Sequence, residues 1–369
     1  MKIMKKLMCL LLTGIILITL YGCRSRTIDP SEDPVPDTPD IVDDQTPSEP
    51  EDKPEESIEA KSKIYLHTVD EGDIIFYSSE DYYRYGPSIL KYEDGSMDAW
   101  FSSPGNNYSE WDYITYRHSE DGINWSDEEL VLRPTPGSKD QCSVCDPGVI
   151  YFDDWYYLAY TSTADSEGGG ANNSAFVCRS RYPDGPFEKW DGEGWGGDPQ
   201  PIIAYEGDPE GWGVGEISFV IKDEDLYIYF STMDVSGGGT ALYKADLVED
   251  WPKTMRFKND VLPRGHQDSL DVAYDDELEM FLAFSVDYRM SESSRIILYG
   301  SYDGKTFEDL DTEKNLIEDY AHNLGVAKDA NGHIDTKEDL LIGYAYGEAW
   351  GRWNTRFQHM RVVESPIEQ

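Results

Sequence analysis

Apolar positions along this chain fall into pairs of short runs joined by an acidic turn, and the arrangement returns five times. The segments are "GPSILKYEDGSMDAWFSS", "DPGVIYFDDWYYLAYTST", "EISFVIKDEDLYIYFST", "DSLDVAYDDELEMFLAFS" and "HNLGVAKDANGHIDTKEDLLIGYAYG". Each reads as a strand, a turn and an aromatic strand that closes on Ser, Ala or Gly. Runs of four to eight residues rich in Val, Ile, Tyr and Phe, bounded by Gly, Asp and Asn, are strands rather than helices. A weaker second repeat follows some of these hairpins: "SEDGINW" at 119, "RSRYPDGPFEKW" at 179 and "SYDGKTF" at 301. There Asp and Gly supply the left-handed geometry of a later turn.

A unit that recurs about every 50 to 70 residues and holds about four short strands is the signature of a propeller blade. The predicted fold is therefore all-β, a five-bladed β-propeller over residues 62–369. The strand "KIYLHTV" near residue 63 is left over and is expected to pair with the last blade, closing the circle and hiding two sheet edges. A β-sandwich is the competing architecture, but it has no use for the same hairpin in register five times.

The register carries chemistry. Aligned on the acid of the hairpin turn (Glu93, Asp153, Asp223, Asp275 and Asp329), the position seven residues earlier is Gly86, Asp146, Glu216, Asp268 and His322. The first strand of a blade lines the central channel, so equivalent residues form a ring at one mouth of it. Three carboxylates and an imidazole are expected there. Crowding and burial push the proton affinities of such groups apart, which is what an acid and base pair needs. Asp271, in "HQDSLD", is a further acid of the fourth blade and a candidate for substrate binding.

Composition adds an address and narrows the partners. Residues 1–22, "MKIMKKLMCLLLTGIILITLYG", have the basic start and apolar run of an export signal. "LYGC" resembles a bacterial lipoprotein cleavage box, which implies lipidation of Cys23 and a chain tethered at the outer face of a bacterial membrane. Residues 23–61 are an acidic, Pro-rich tether: 13 acids and one lysine fall between 27 and 60, with too little apolar surface to fold. The whole chain carries a net charge of −42. Such a field repels nucleic acid and anionic lipid, so contact with the membrane is expected through the anchor only, and neutral substrates or cations are the suited partners. Cys142, Cys145 and Cys178 allow three pairings with one thiol over; "CSVC" has the spacing of half a zinc site, with no second half.

With these residues in place, "DPGVIYFDDWYYLAYT", "GEISFVIKDEDLYIYFS" and the count of five units resemble the five-bladed propeller glycoside hydrolases of family 43 and its relatives, the arabinanases, arabinofuranosidases and β-xylosidases. The resemblance covers about residues 63–363 and implies inverting hydrolysis of a carbohydrate by an Asp base, a Glu acid and a second Asp. Carried over, Glu216 matches the acid, Asp146 one aspartate and His322 an axial histidine that can help hold a metal; Asp268 is available as the other aspartate. No cofactor is required, and calcium in the channel would suit a carboxylate rim. The first blade departs from the pattern, with Gly86 in "YGPSIL" where the family's base is expected. Trp212 and Trp350, in glycine-rich loops near the ring, are the expected sugar platforms, ahead of Trp195 and Trp353. Arg84 either binds an acidic sugar or neutralises the rim. The expected protein is a monomeric glycosidase, with a non-catalytic glycan-binding lipoprotein of the same fold as the alternative.

Overall fold

Successive side chains of a strand point to opposite faces, so a strand buried on both faces must be apolar at nearly every position. The second strands of the repeats have that character. In Met97–Asn107, Trp100 packs into one apolar cluster and its neighbour Phe101 into another. In the computed structural model, which describes residues 62–69, 72–79, 82–107, 109–265, 267–310 and 316–366, this alternation stacks antiparallel sheets side by side. The signal, Cys23 and the tether lie outside the described residues.

Blade I consists of Tyr85–Lys91, Met97–Asn107, Glu110–Ser119 and Glu129–Leu132. Blade II runs from Cys145–Phe152 through Trp155–Ser162 and Ser174–Ser180 to the short Glu188–Lys189. Blade III holds Gly213–Lys222, Asp225–Asp234, Gly237–Asp246 and Arg256–Pro263. Blade IV holds Asp271–Asp275, Met280–Asp287, Arg295–Ser301 and Glu308–Asp309. Blade V is built from Ala321–Lys328, Leu340–Tyr346 and Asn354–Pro366, and Ser62–Thr68 completes it. That last strand pairs antiparallel from Ser62 opposite Pro366 to Thr68 opposite Met360, so the predicted closing strand is where the sequence put it.

Five apolar clusters lie between blades. Leu90, Trp100 and Ile114 meet Tyr160 and Phe176 between I and II; Tyr157 and Val177 meet Phe219 and Ile228 between II and III. Tyr229 and Leu242 meet Phe281 between III and IV; Phe284 and Leu298 meet Ile342 and Met360 between IV and V; Leu341 and Phe357 meet Ile89 and Phe101 between V and I. The succession returns to its start, which is the circular order of a propeller. Near the axis the inner strands come too close for side chains. A Cβ on Gly148 would lie 1.9 Å from the carbonyl of Ile217, and one on Gly325 1.8 Å from that of Pro87.

Cys142, Cys145 and Cys178 are all buried as free thiols, so none of the three conceivable pairings forms. The channel below the ring is closed by an ion pair. Lys328 Nζ lies 2.5 Å from Asp271 Oδ1, Ser218 Oγ donates to the same oxygen at 2.8 Å, and the Val326 amide donates to Oδ2 at 2.7 Å. Removing one partner of a buried pair leaves an uncompensated charge, at a cost of about 3–5 kcal/mol. Lys328→Met is expected to lose stability of that size in urea unfolding, with Asp271→Leu in the same chain recovering much of it; an unchanged midpoint in the single variant would refute the assignment.

Candidate active site

The mouth of the channel is shaped by four β-bulges. Pairing between the first two strands shifts register at Tyr85/Ser88, Cys145/Gly148, Gly215/Ser218 and His322/Leu324. Within the bulges Gly86, Asp146, Glu216 and Asn323 have φ of +60°, +49°, +51° and +43°. Left-handed backbone is strained for residues other than glycine, costs roughly 1–3 kcal/mol in sparsely populated regions, and clusters at functional sites. Three such residues at matched positions set this rim apart from an ordinary strand end.

The bulge amides are held from the neighbouring blade. Asp146 N–H donates to Ser102 Oγ, and Glu216 N–H to Thr161 Oγ1, each at 2.9 Å. Asn323 N–H donates to Asp268 Oδ2 at 2.9 Å. Ser102 and Thr161 belong to the small polar ends of the second strands that recur in the repeat. Their role is to fix the next blade's bulge, which fixes the direction of its side chain.

Asp146, Glu216, Asp268 and His322 are brought together as the repeat register requires, with one shift. In blade V the residue equivalent to Asp146 and Glu216 by backbone conformation is Asn323, and His322 is its neighbour. The first two strands of blade V are joined by a long connection that carries a strand of its own, His333–Ile334, paired parallel to blade IV. Counting back from Asp329 therefore lands one residue early.

The carboxyl groups have unlike environments. Burial, and then the charge of Glu216, push Asp146 up to about 8, so it holds a proton at neutral pH. Burial and the charge of Asp268 raise Glu216, with Arg289 and Arg264 pulling the other way. Burial would raise Asp268 too, but Arg289 and His322 outweigh it and hold it below the usual carboxylate range. Arg289 Nη1 lies 2.6 Å from Asp268 Oδ1. Asn323 Nδ2 reaches Glu216 Oε1 at 3.4 Å, and the Cys145 thiol reaches Asp146 Oδ2 at 3.4 Å. His322 is 1% exposed, lies 4.2 Å from the Trp353 ring, and is pushed down to about 4 by burial, so it is a neutral imidazole.

Among the described residues no three His, Cys, Asp or Glu side chains converge as a metal site. His322 Nδ1 faces Asn323 Oδ1 at 2.5 Å, and Asp268 is already paired with Arg289. His322 Nε2 is buried without a partner, and no step below runs through a metal.

The remaining expected residues divide. Arg84 is turned away from the ring: Nε and Nη2 each lie 2.8 Å from the Glu128 carboxylate, and its guanidinium covers the Tyr77 ring at 4.4 Å. Asp271 belongs to the Lys328 pair below the ring. Trp195 packs between blades II and III, donating to Asp250 Oδ1 at 3.1 Å. Trp350 is 76% exposed and meets the buried Trp353 edge to face at 4.7 Å. Trp212 lines a cavity of ≈ 330 Å³ with Glu210, Met233, Asp234 and Val235, over a glycine floor. The cavity at the axis measures ≈ 40 Å³, room for a few waters at roughly 10–15 Å³ each. A sugar must therefore lie over the ring, not in it.

Sequence reasoning missed Arg289 and Asn323. Nothing local marks Arg289: its position follows from left-handed backbone at Tyr288 (+51°) and Met290 (+58°), neither of them glycine. Asn323 did leave a signal, since Asn adopts the left-handed region far more readily than His or Leu.

No protein-family profile and no curated protein matches the chain. Among solved structures it is similar to a family 117 glycoside hydrolase of the marine bacterium Zobellia galactanivorans, at 16% identity and a TM-score of 0.57 over 81% of this chain and 90% of that one. An α-L-arabinofuranosidase from Podospora anserina matches at 12% and 0.58 over 79% and 95%. An endo-arabinase from Bacteroides thetaiotaomicron matches at 18% and 0.51 over 81% and 98%. At these identities the likeness establishes a shared fold, that of the propeller glycoside hydrolases.

Proposed function

We propose that this protein is an exported, lipid-anchored glycosidase that cleaves polysaccharide fragments by inverting acid/base hydrolysis. One observation carries the reading: three carboxyl groups at one mouth of the channel, two of them buried and Glu216 partly so, have proton affinities driven apart, Asp146 up to about 8 and Asp268 below its usual range. A protonated and an ionised carboxyl side by side at neutral pH are the equipment of general acid catalysis. Glu216, raised by burial and by Asp268 and less buried than Asp146, delivers its proton to the leaving oxygen. Asp268, tied to Arg289 and the Asn323 amide, is the fixed anion that keeps Glu216 charged with its proton. Inversion needs space for a water, a carboxyl separation of roughly 6.5–9.5 Å, and the anomer first released, read by NMR, decides it.

The purified full-length chain, screened against arabinosyl, xylosyl and galactosyl substrates with Glu216→Gln as control, tests this reading. Turnover that the substitution leaves unchanged removes Glu216 from the mechanism. The absent side chain at Gly86 favours a second reading, glycan binding without cleavage, for which binding without turnover is the expected result. Under either reading Trp212 offers a sugar face within four residues of Glu216. Trp212→Ala is expected to weaken oligosaccharide binding or raise KM about fivefold, since a stacked aromatic contributes about 1 kcal/mol beyond its burial; an unaltered KM would move the subsite elsewhere.

A further inference from the structure

We propose that Asp112 is the carboxylate that takes the proton of the attacking water, standing in for the side chain that Gly86 lacks. The inference rests on the hydrolase reading above, which supplies a proton donor and leaves the receiver of the water's proton open. Asp146 holds a proton of its own at neutral pH, and both Asp268 oxygens are engaged.

The rim is open on the blade I side. A Cβ on Gly86 would lie 3.5 Å from Asp146 Oδ1 and 3.8 Å from Ser102 Oγ, so that sector adjoins Asp146. Asp112 approaches it from the third strand of the same blade, where it pairs with Pro104. Its carbonyl accepts the Val144 amide at 3.2 Å, which joins this strand end to the segment leading into Asp146. Its carboxylate accepts Tyr83 Oη at 2.5 Å and Ser143 Oγ at 2.8 Å. Asp112 as a residue is half-buried; burial raises its carboxyl, and the Tyr83 and Ser143 hydroxyls pull it back toward the ionised form. Its charge is one of those felt by Asp146 and by the phenol of Tyr85, the residue before Gly86.

The charge balance singles it out. Asp98, Asp140, Asp268, Asp287 and Glu318 are buried acids that each face a basic side chain within 2.8 Å. Asp275 instead accepts two backbone amides of its own turn and that of the distant Thr336. Of the buried acids among the described residues, Asp146 has neither compensation, and the half-buried Asp112 is held by the Tyr83 and Ser143 hydroxyls with no basic side chain acting on it. A carboxylate kept in such a place is expensive, and a purely structural link between Tyr83 and Ser143 would be served by a neutral amide.

In the step, water gives a proton to Asp112 as its oxygen bonds to the anomeric carbon. The glycosidic C–O bond breaks, and the leaving oxygen takes the proton held by Glu216. Asp112 then returns its proton to solvent and Glu216 regains one, so that one water is consumed.

The test is kinetic, on the substrate the wild-type protein turns over. Asp112→Asn is expected to lower kcat/KM about 10²- to 10³-fold, the usual worth of a general base, with the unfolding midpoint retained. Formate or azide should restore at least tenfold, and Gly86→Asp in the same chain should restore activity from the other side of the gap; Asp146 shows that the bulge accepts an aspartate. Tyr83→Phe removes a donor to the ionised form, so the acidic limb of the pH profile should move to higher pH; this variant keeps the test open if the Asn variant does not fold. Activity within threefold of wild type in Asp112→Asn, loss without either rescue, or an unmoved acidic limb would each overturn the assignment. Those outcomes leave the hydrolase reading intact where Glu216→Gln is inactive. A wild-type chain that binds glycans without turnover overturns both.

Discussion

Glu216→Gln is expected to lower kcat/KM by about 10²- to 10⁴-fold on unactivated glycosides, the range for loss of a general acid. The amide has the shape of the acid but no proton to give. Its hydrogen-bond partners are Asn323 Nδ2 at 3.4 Å, the Ser231 hydroxyl and, for its backbone amide, Thr161, and an amide side chain can keep all three. The variant should therefore unfold at the wild-type midpoint, and the loss should be chemical. The deficit should also shrink on aryl glycosides whose leaving phenolate needs little protonation. Equal deficits on both substrate classes would point to a role in binding; no deficit on either would exclude Glu216.

The second large effect concerns stability, and its sign follows from proton linkage. Asp146 titrates near 8 in the folded protein against about 3.9 for an unperturbed aspartate. Between those values the folded state holds a proton that the unfolded chain has released, so the contribution of Asp146 to stability is complete below about pH 4 and is lost as pH rises to 8. Asp146→Asn removes that loss. The variant should match wild type at pH 4 and exceed it at pH 8 by an amount on the order of a few kcal/mol, at about 1.4 kcal/mol per unit with the two pKa values far apart. Asn tolerates the left-handed backbone of the bulge, so no conformational penalty offsets the gain. Urea unfolding of both proteins at pH 4, 6 and 8 measures it, and parallel pH dependences would show that Asp146 carries no raised affinity. A stabilised variant that has lost activity is the pattern expected of a group kept for function at a cost in stability.

The geometry also redistributes charge among the arginines. Arg84, next to the rim in sequence, is consumed by Glu128 and Tyr77, whereas Arg289, distant in sequence, holds Asp268. Without a cation beside it a buried Asp268 would be neutral. The fixed charge at the rim therefore depends on a loop in blade IV that carries none of the repeat's motif.

The sequence by itself determined the number of blades, the inner hairpins, the closing strand and the meeting of Asp146, Glu216, Asp268 and His322. These follow from periodicity: a strand buried on both faces must be apolar throughout, its turn must carry Asp or Gly, and repetition multiplies a weak signal fivefold. Only the tertiary structure decided which atoms face one another. Asn323 in place of His322 depends on a long connection that shifts the count by one residue. The pairing of Arg84 with Glu128, the seat of Arg289 at Asp268 and the hydrogen bond of Ser143 to Asp112 are contacts between residues 44, 21 and 31 positions apart, set by how strands stack and loops close. No local pattern encodes such contacts, because the forces that choose among them act only once the blades are assembled.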